Sequence, residues 1–239
     1  MNAPPPINRY NYQLDGDSAF AELLTPHSRL VRRQEVRVVK RKYRLVKRVF
    51  DLLLAIAILP LCLPVMLVCA IVIYVTDPGP VVFTQLRTGK AGRRFRMFKF
   101  RTMVTNAEQL KQEYLHLNEL TWPDFKITND PRVTRIGRFL RATSLDELPQ
   151  LFNVFTGDMS FVGPRPTSFD ASTYTLWQTE RLEATPGITG LWQVSGRSDV
   201  DFEDRLKLDT EYLERQNLWF DICILIWTVT AVCSRRGAC

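Results

Sequence analysis

Histidine is scarce. The chain has two, His27 and His116, far from the other chemistry-bearing residues, which argues against a histidine-based triad. Five cysteines (Cys62, Cys69, Cys223, Cys233, Cys239) form no C-x-x-C and lie mostly in apolar runs, so they read as buried or lipid-side thiols in a reducing compartment, not a disulfide frame or zinc site. There is no G-x-G-x-x-G between a strand and a helix, which excludes a Rossmann-type sheet. No charged region precedes an apolar run at the very start, so the opening residues are not read as a secretory signal peptide. Charge is absent from Leu52 to Val75. That stretch exceeds the roughly 20 apolar residues a membrane helix needs, and a buried helix of a soluble protein rarely runs so far without a polar face.

The net charge of +7 is unevenly placed. Residues 29–48 hold ten Lys/Arg against Glu35 alone, and the remainder is slightly acidic. A basic block interleaved with Val and Leu suits an arm lying on an anionic leaflet. A nucleic-acid arm is the rival reading; the apolar run that follows turns the assignment to membrane lipid and away from nucleic acid.

Basic residues flank the apolar run on both sides: Lys47 and Arg48 before it, Arg87 to Arg101 after it. The positive-inside bias then wants both flanks in the cytoplasm, and Pro60 and Pro64 would break or bend a helix near its middle. A re-entrant, proline-broken membrane helix satisfies both conditions, although carbonyls freed by the prolines need cover. The expected organisation is a loose tail over 1–28, a basic juxtamembrane segment over 29–48, a re-entrant hairpin over 49–76, and a cytoplasmic catalytic domain over 77–239 with an interfacial C-terminal helix. Trp219 and Trp227 suit the headgroup level of that last helix.

Within 77–239 the fold class is mainly α with a small β-hairpin (α+β). VVFTQ and RFRMFKF flank Gly89 and Gly92 as two β-prone runs. Their basic side chains suit either a phosphate or a charge-protected sheet edge. Helices are expected over 105–121, over 167–183, and over 199–214, the last as a solvated acidic face. Gly187, Gly190 and Gly196 make residues 186–197 a loop that is either an ordinary glycine turn or a ligand wall.

The chain centres on Arg141 to Pro166. Ser144-x-x-Glu147 has the form of a capping box, and Pro149 is tolerated in a first helical turn, so Asp146 is expected at a helix N-terminus where the dipole favours an anion. An Asp-Glu pair there can be a cap and nothing more. Arg132, Arg135, Arg138 and Arg141, spaced by three, and then Arg165 favour a carboxylate nucleophile working on a phosphate.

Several ordered motifs add a resemblance. Lys47-Arg48-x-Phe50-Asp51, Pro78-Gly79-Pro80, Phe98 to Met103, Ser144 to Gln150, Gly157 to Ser160, Val162 to Pro166 and Pro186 to Gly190 are similar to those of the bacterial sugar transferases, the monotopic polyprenyl-phosphate phosphoglycosyl transferases, especially short exopolysaccharide-initiating members. The likeness runs from residue 47 to about 237, and Asp77 stands where that family often has Ser. It implies transfer of a sugar-1-phosphate, glucose or galactose, from a UDP-sugar to polyprenyl phosphate with release of UMP. It further implies that Asp146 is the nucleophile, that Glu147 helps place either Mg²⁺, with Asp146 as a fellow ligand, or the acceptor, and that Lys99, Arg141, Arg165 and Arg197 contact substrate. The location implied is the cytoplasmic face of the bacterial inner membrane, with a homo-oligomer left open. The competing reading is a non-catalytic membrane-surface module that binds anionic lipid and polysaccharide-assembly partners.

Overall fold

The structure, a computed structural model, describes residues 26–119, 127–175, 177–195 and 202–233; the side chains of residues 26–40, 177, 232 and 233 lie outside that description, as does most of the loose tail expected over 1–28. Its first element, α1 (Pro26–Thr76), joins the basic and the apolar segments in one helix of 51 residues. Helical structure continues through Pro60 and Pro64, and both prolines lie on the exposed side. The inward stripe Asp51, Ala55, Cys62, Cys69 and Ile73 repeats at helical spacing along the whole apolar half. The opposite side leaves Leu53, Ile56, Leu61, Leu67, Ile71 and Val75 exposed. By length and composition this is one helix apolar enough to cross a membrane.

Both ends of the apolar segment are tied to the same body. Before it, Tyr43 and Lys47 bond Asp221 Oδ2 at 2.7 and 2.8 Å, and Asp51 Oδ1 accepts from the Phe161 amide at 3.2 Å. After it, the Arg101 guanidinium reaches the Asp77 carbonyl and carboxylate. Asp221 is fully buried and also accepts from Tyr212 Oη at 2.8 Å, so the Lys47 charge that it neutralises has supporting hydrogen bonds, as a buried ion pair requires.

The expected hairpin is present. Strands β1 (Val82–Thr88) and β2 (Arg94–Phe100) pair antiparallel with Thr88 opposite Arg94 and Val82 opposite Phe100. Alternation along β2 puts Phe95 and Met97 in the core and Lys99 on the same side, one step further. The helix expected over 105–121 shrinks to a four-residue turn, α2 (Ala107–Leu110), and a 3₁₀ turn at Leu115–Leu117. Two further 3₁₀ turns, Ala171–Thr173 and Trp177–Glu183, replace the helix expected over 167–183.

Next come α3 (Arg135–Ala142), a 3₁₀ turn at Leu145–Glu147, and α4 (Gln150–Thr156). Thr134 caps α3 by accepting from the Gly137 amide at 2.9 Å. Gly137 is required there, because a Cβ would lie 1.9 Å from the Thr102 carbonyl oxygen. The buried Asn153 side chain accepts from the Phe98 amide and donates to the Arg96 carbonyl, so α4 continues the free edge of β2.

Sequence reasoning did not anticipate a second pair of strands. β3 (Ser160–Val162) and β4 (Gly187–Thr189) run parallel, with Gly163 beside the Gly187 backbone, where any Cβ would collide. Helices α5 (Leu191–Ser195), α6 (Phe202–Arg215) and α7 (Leu218–Cys233) complete the fold. α6 is not merely a solvated face: Leu206, Asp209, Tyr212 and Leu213 are buried. On α7, Trp219 is exposed, whereas Trp227 packs edge-on against buried Phe220.

Candidate active site

Ser144 adopts a left-handed backbone, φ 58°, and makes no side-chain cap bond. The capping box is therefore not formed. Glu147 turns away from the Ser144 amide because two cations outbid a neutral donor: Lys99 Nζ and Arg165 Nη2 both bond Glu147 Oε1, at 2.7 and 2.6 Å. Asp146 sits in the 3₁₀ turn ahead of α4, not in the first turn of an α-helix. A non-glycine residue in the left-handed region costs about 1–2 kcal/mol, and such strain concentrates at functional sites. Here it reverses the chain so that both carboxylates point into one cleft.

That cleft has a volume of about 1060 Å³. Lys99, Arg141, Asp146, Glu147 and Arg165 all line it. Lys99 arrives by the alternation of β2. Arg141 stands on the last turn of α3 and donates from Nε to Thr102 Oγ1 at 2.9 Å. Arg165 follows β3, between two prolines, and its carbonyl accepts from Arg181 Nη2 at 2.6 Å. The extended backbone imposed on a residue before proline fixes its direction. Arg197 lies outside the described residues.

The two carboxylates differ in kind. Burial alone pushes Glu147 up, but Arg165 and Lys99 outweigh it and hold its carboxyl well below the usual range. Asp146 is pushed the other way: burial raises it, adjacent Glu147 adds to the rise, and Lys99, Arg141 and Arg165 only partly oppose. No hydrogen bond or ion pair from the described residues ties down the Asp146 side chain, although it is only 8% exposed. Burial lowers Lys99, and its neighbour Arg165 adds to that against the pull of Glu147. The result is one carboxylate locked in an ion-pair cluster beside another that is untied and more basic.

The arginine row divides. Arg132 is committed to Asp130 through bonds of 2.9 and 2.7 Å, and Arg135 and Arg138 face solvent. Only Arg141 of that row meets Asp146 through its charge. Arg87 was missed as a site residue. It lies on β1 and lines the cleft; among the described residues it has no carboxylate partner and its buried Nε no acceptor. Burial, with Arg165 nearby, lowers it to about 10. Its signal in the sequence is its place at the edge of the hairpin turn, in LRTGKAGR, the same feature that suggested a charged sheet edge. The glycine loop does form a wall: Ile188, Thr189, Trp192 and Gln193 line the cleft.

The profile of the bacterial sugar transferase family matches residues 42–235. This chain belongs to that family. It is 48% identical over 167 residues to the undecaprenyl-phosphate galactose phosphotransferase of Salmonella typhimurium, covering 68% of this chain and 35% of that protein. It is 39% identical over 178 residues to the UDP-glucose:undecaprenyl-phosphate glucose-1-phosphate transferase of Xanthomonas campestris pv. campestris, covering 71% of this chain and 35% of that protein. It is 40% identical over 172 residues to the exopolysaccharide production protein ExoY of Rhizobium meliloti, covering 70% of this chain and 76% of that protein. The chain thus spans about a third of the length of the first two relatives and three quarters of ExoY.

Proposed function

We propose that this chain transfers a hexose-1-phosphate, glucose or galactose, from a UDP-sugar to a polyprenyl phosphate and releases UMP, as the first membrane step of exopolysaccharide or glycoconjugate synthesis. The observation that carries the proposal is the untied, burial-raised Asp146 beside a Glu147 that gathers Lys99 and Arg165. A carboxylate oxygen of Asp146 attacks the phosphorus that bears the sugar. The phosphoanhydride bond breaks, UMP departs with the bonding pair, and an acyl phosphate joins Asp146 to the phosphosugar. An oxygen of the lipid phosphate then attacks the same phosphorus and expels Asp146 as carboxylate. Donor and acceptor are both anionic, and two steps spare the enzyme from bringing them together. Lys99, Arg141 and Arg165, joined by Arg87, offset charge on the transferring group.

The donor set also suits Mg²⁺. Asp146 and the Glu147 oxygen not shared by Lys99 and Arg165 offer two hard ligands, and Mg²⁺ commonly takes one or two carboxylates with the rest from substrate phosphates and water. Among the described residues no group of three or more potential ligands exists, in keeping with a site that substrate completes. When bound, the ion would supply charge neutralisation on the diphosphate.

The same reading puts the exposed apolar side of α1 in the cytoplasmic half of the bilayer, entering and returning. Its support is that Lys47 and Asp51 before the run, and Asp77 after it, dock on one body. The non-catalytic membrane module explains α1 equally well, but not an untied buried carboxylate ringed by cations. UMP release from UDP-glucose or UDP-galactose, measured with polyprenyl phosphate and Mg²⁺, tests the proposal. Release that Asp146→Asn abolishes supports it; full release by that variant refutes it.

A further inference from the structure

A second basic pocket lies where α1 meets the body. It encloses about 200 Å³ and shares no lining residue with the cleft. Two of its cations are already occupied. Lys47 is neutralised by Asp221, and Arg48 donates to the Val154 and Phe155 carbonyls at the end of α4, where a cation complements the helix dipole. Arg44 and Lys90 are not. Among the described residues neither side chain makes a hydrogen bond or ion pair, yet both line the same small pocket. They sense each other: Lys90 is lowered from the ordinary lysine range, by burial first and by the charge of Arg44 second.

The presentation of Lys90 is unusual. It opens a 3₁₀ turn in which Ala91 holds φ 55°, a left-handed backbone that alanine rarely adopts. Asp51, the pocket's buried acid, accepts from the Phe161 amide and meets the charge of Lys47, so among the described residues no acid of the pocket is paired with Arg44 or Lys90. Two like charges held at a concave surface, one on a strained turn, are a cost that a bound anion would remove.

We infer that Arg44 and Lys90 bind a phosphate group in this pocket, apart from the transfer reaction. An ion of that size fits the volume, a guanidinium can grip two of its oxygens, and an ammonium takes a third. Arg44 lies eight residues before Leu52, where the charge-free run begins, and that is ~12 Å along a helix. If α1 lies in the bilayer as proposed above, the headgroup layer extends about 6 Å beyond the hydrocarbon and the long Arg44 side chain reaches back to it, so the phosphate is that of an anionic phospholipid. Its binding fastens the basic half of α1 to the catalytic body at the membrane surface.

The test uses the full chain in neutral detergent, with short-chain phosphatidylglycerol and inorganic phosphate as separate probes. Amine labelling of Lys90 is quantified by peptide mass spectrometry against exposed Lys42 in the same sample. Phosphatidylglycerol is expected to slow labelling at Lys90 at least fivefold more than at Lys42, and Arg44→Gln to remove that protection. Equal protection by inorganic phosphate at the same concentration supports the phosphate site and assigns it to the free ion. No selective protection by either probe, or protection that persists in Arg44→Gln, overturns the inference. Labelling needs no turnover, so an inactive cleft leaves this result intact. A melting temperature for Arg44→Gln within about 2 °C of the parent in phospholipid-free detergent confirms that the variant is folded.

Discussion

Replacing Glu147 with glutamine keeps the shape of the side chain and removes the charge that Lys99 and Arg165 share. Both cations close on one oxygen at 2.7 and 2.6 Å, and the Glu147 side chain is only 17% exposed. Without that charge, two half-buried cations face each other with Asp146 as the remaining counter-charge. Removing one partner of a buried pair costs about 3–5 kcal/mol. The glutamine carbonyl can still accept one of the two hydrogen bonds, which favours the lower end, about 3 kcal/mol. In a chain of this length each kcal/mol moves the melting temperature by roughly 2–4 °C, so a fall of about 6–12 °C follows at neutral pH. The pH dependence has a definite sign. A carboxyl held below its unfolded value of about 4.3 stabilises the fold above that pH, and the contribution is lost as pH falls toward the folded value. The gap between parent and variant should therefore stay constant from neutral pH to about 5 and narrow below about 4. Thermal melts of the detergent-solubilised protein from pH 7.5 to 3 measure it. Adding Lys99→Met to Glu147→Gln should recover part of the loss, since the stranded cation is gone. A fall under about 2 °C at pH 7.5, or a gap unchanged at pH 3, refutes the ion-pair account.

Arg87→Met should raise the KM for the UDP-sugar about tenfold or more, the worth of one charged hydrogen bond, while Arg87→Lys recovers part of it; steady-state UMP release is the check. Gly137→Ala should lower stability by about 2–4 kcal/mol, because its methyl would meet the Thr102 carbonyl at 1.9 Å; thermal melting reads this directly. Asp209 is buried, raised by burial to about 6, and 2.6 Å from Arg181 Nη2, yet among the described residues neither of its carboxylate oxygens has an aligned hydrogen bond. The stability due to its raised value is fully present below about pH 4 and lost as pH rises through about 6, so parent minus Asp209→Asn should fall across that window in paired melts.

Much of the site was legible because its chemistry is written in contiguous motifs. Asp146 and Glu147 are neighbours in sequence, and alternation along RFRMFKF is enough to send Lys99 inward with Phe95 and Met97. What sequence spacing missed was competition between partners. Ser144-x-x-Glu147 has the form of a cap, but a cap bond to one amide loses to two cations brought from 48 and 18 residues away. The arginine row looked uniform at a spacing of three, yet Asp130 claims Arg132, and solvent takes Arg135 and Arg138. The β3–β4 pair escaped notice because three-residue strands carry no usable period, and their closeness depends on Gly163 and Gly187 meeting across 24 residues. Arg87 escaped for a related reason: a basic residue at a hairpin edge has the same local sequence whether it faces water or a cleft. Long helices were expected over 105–121 and 167–183 because an apolar spacing of three to four also arises where short α and 3₁₀ turns follow one another.

The central claim is that Asp146 itself takes up the phosphosugar. Incubating the protein with UDP-glucose or UDP-galactose and Mg²⁺, without lipid acceptor, and then analysing its peptides by mass spectrometry tests this directly. The account predicts a hexose-phosphate adduct on the peptide carrying Asp146, discharged when polyprenyl phosphate is added and absent from Asp146→Asn. A protein that releases UMP at the full rate with no adduct, or an adduct that survives in Asp146→Asn, contradicts it.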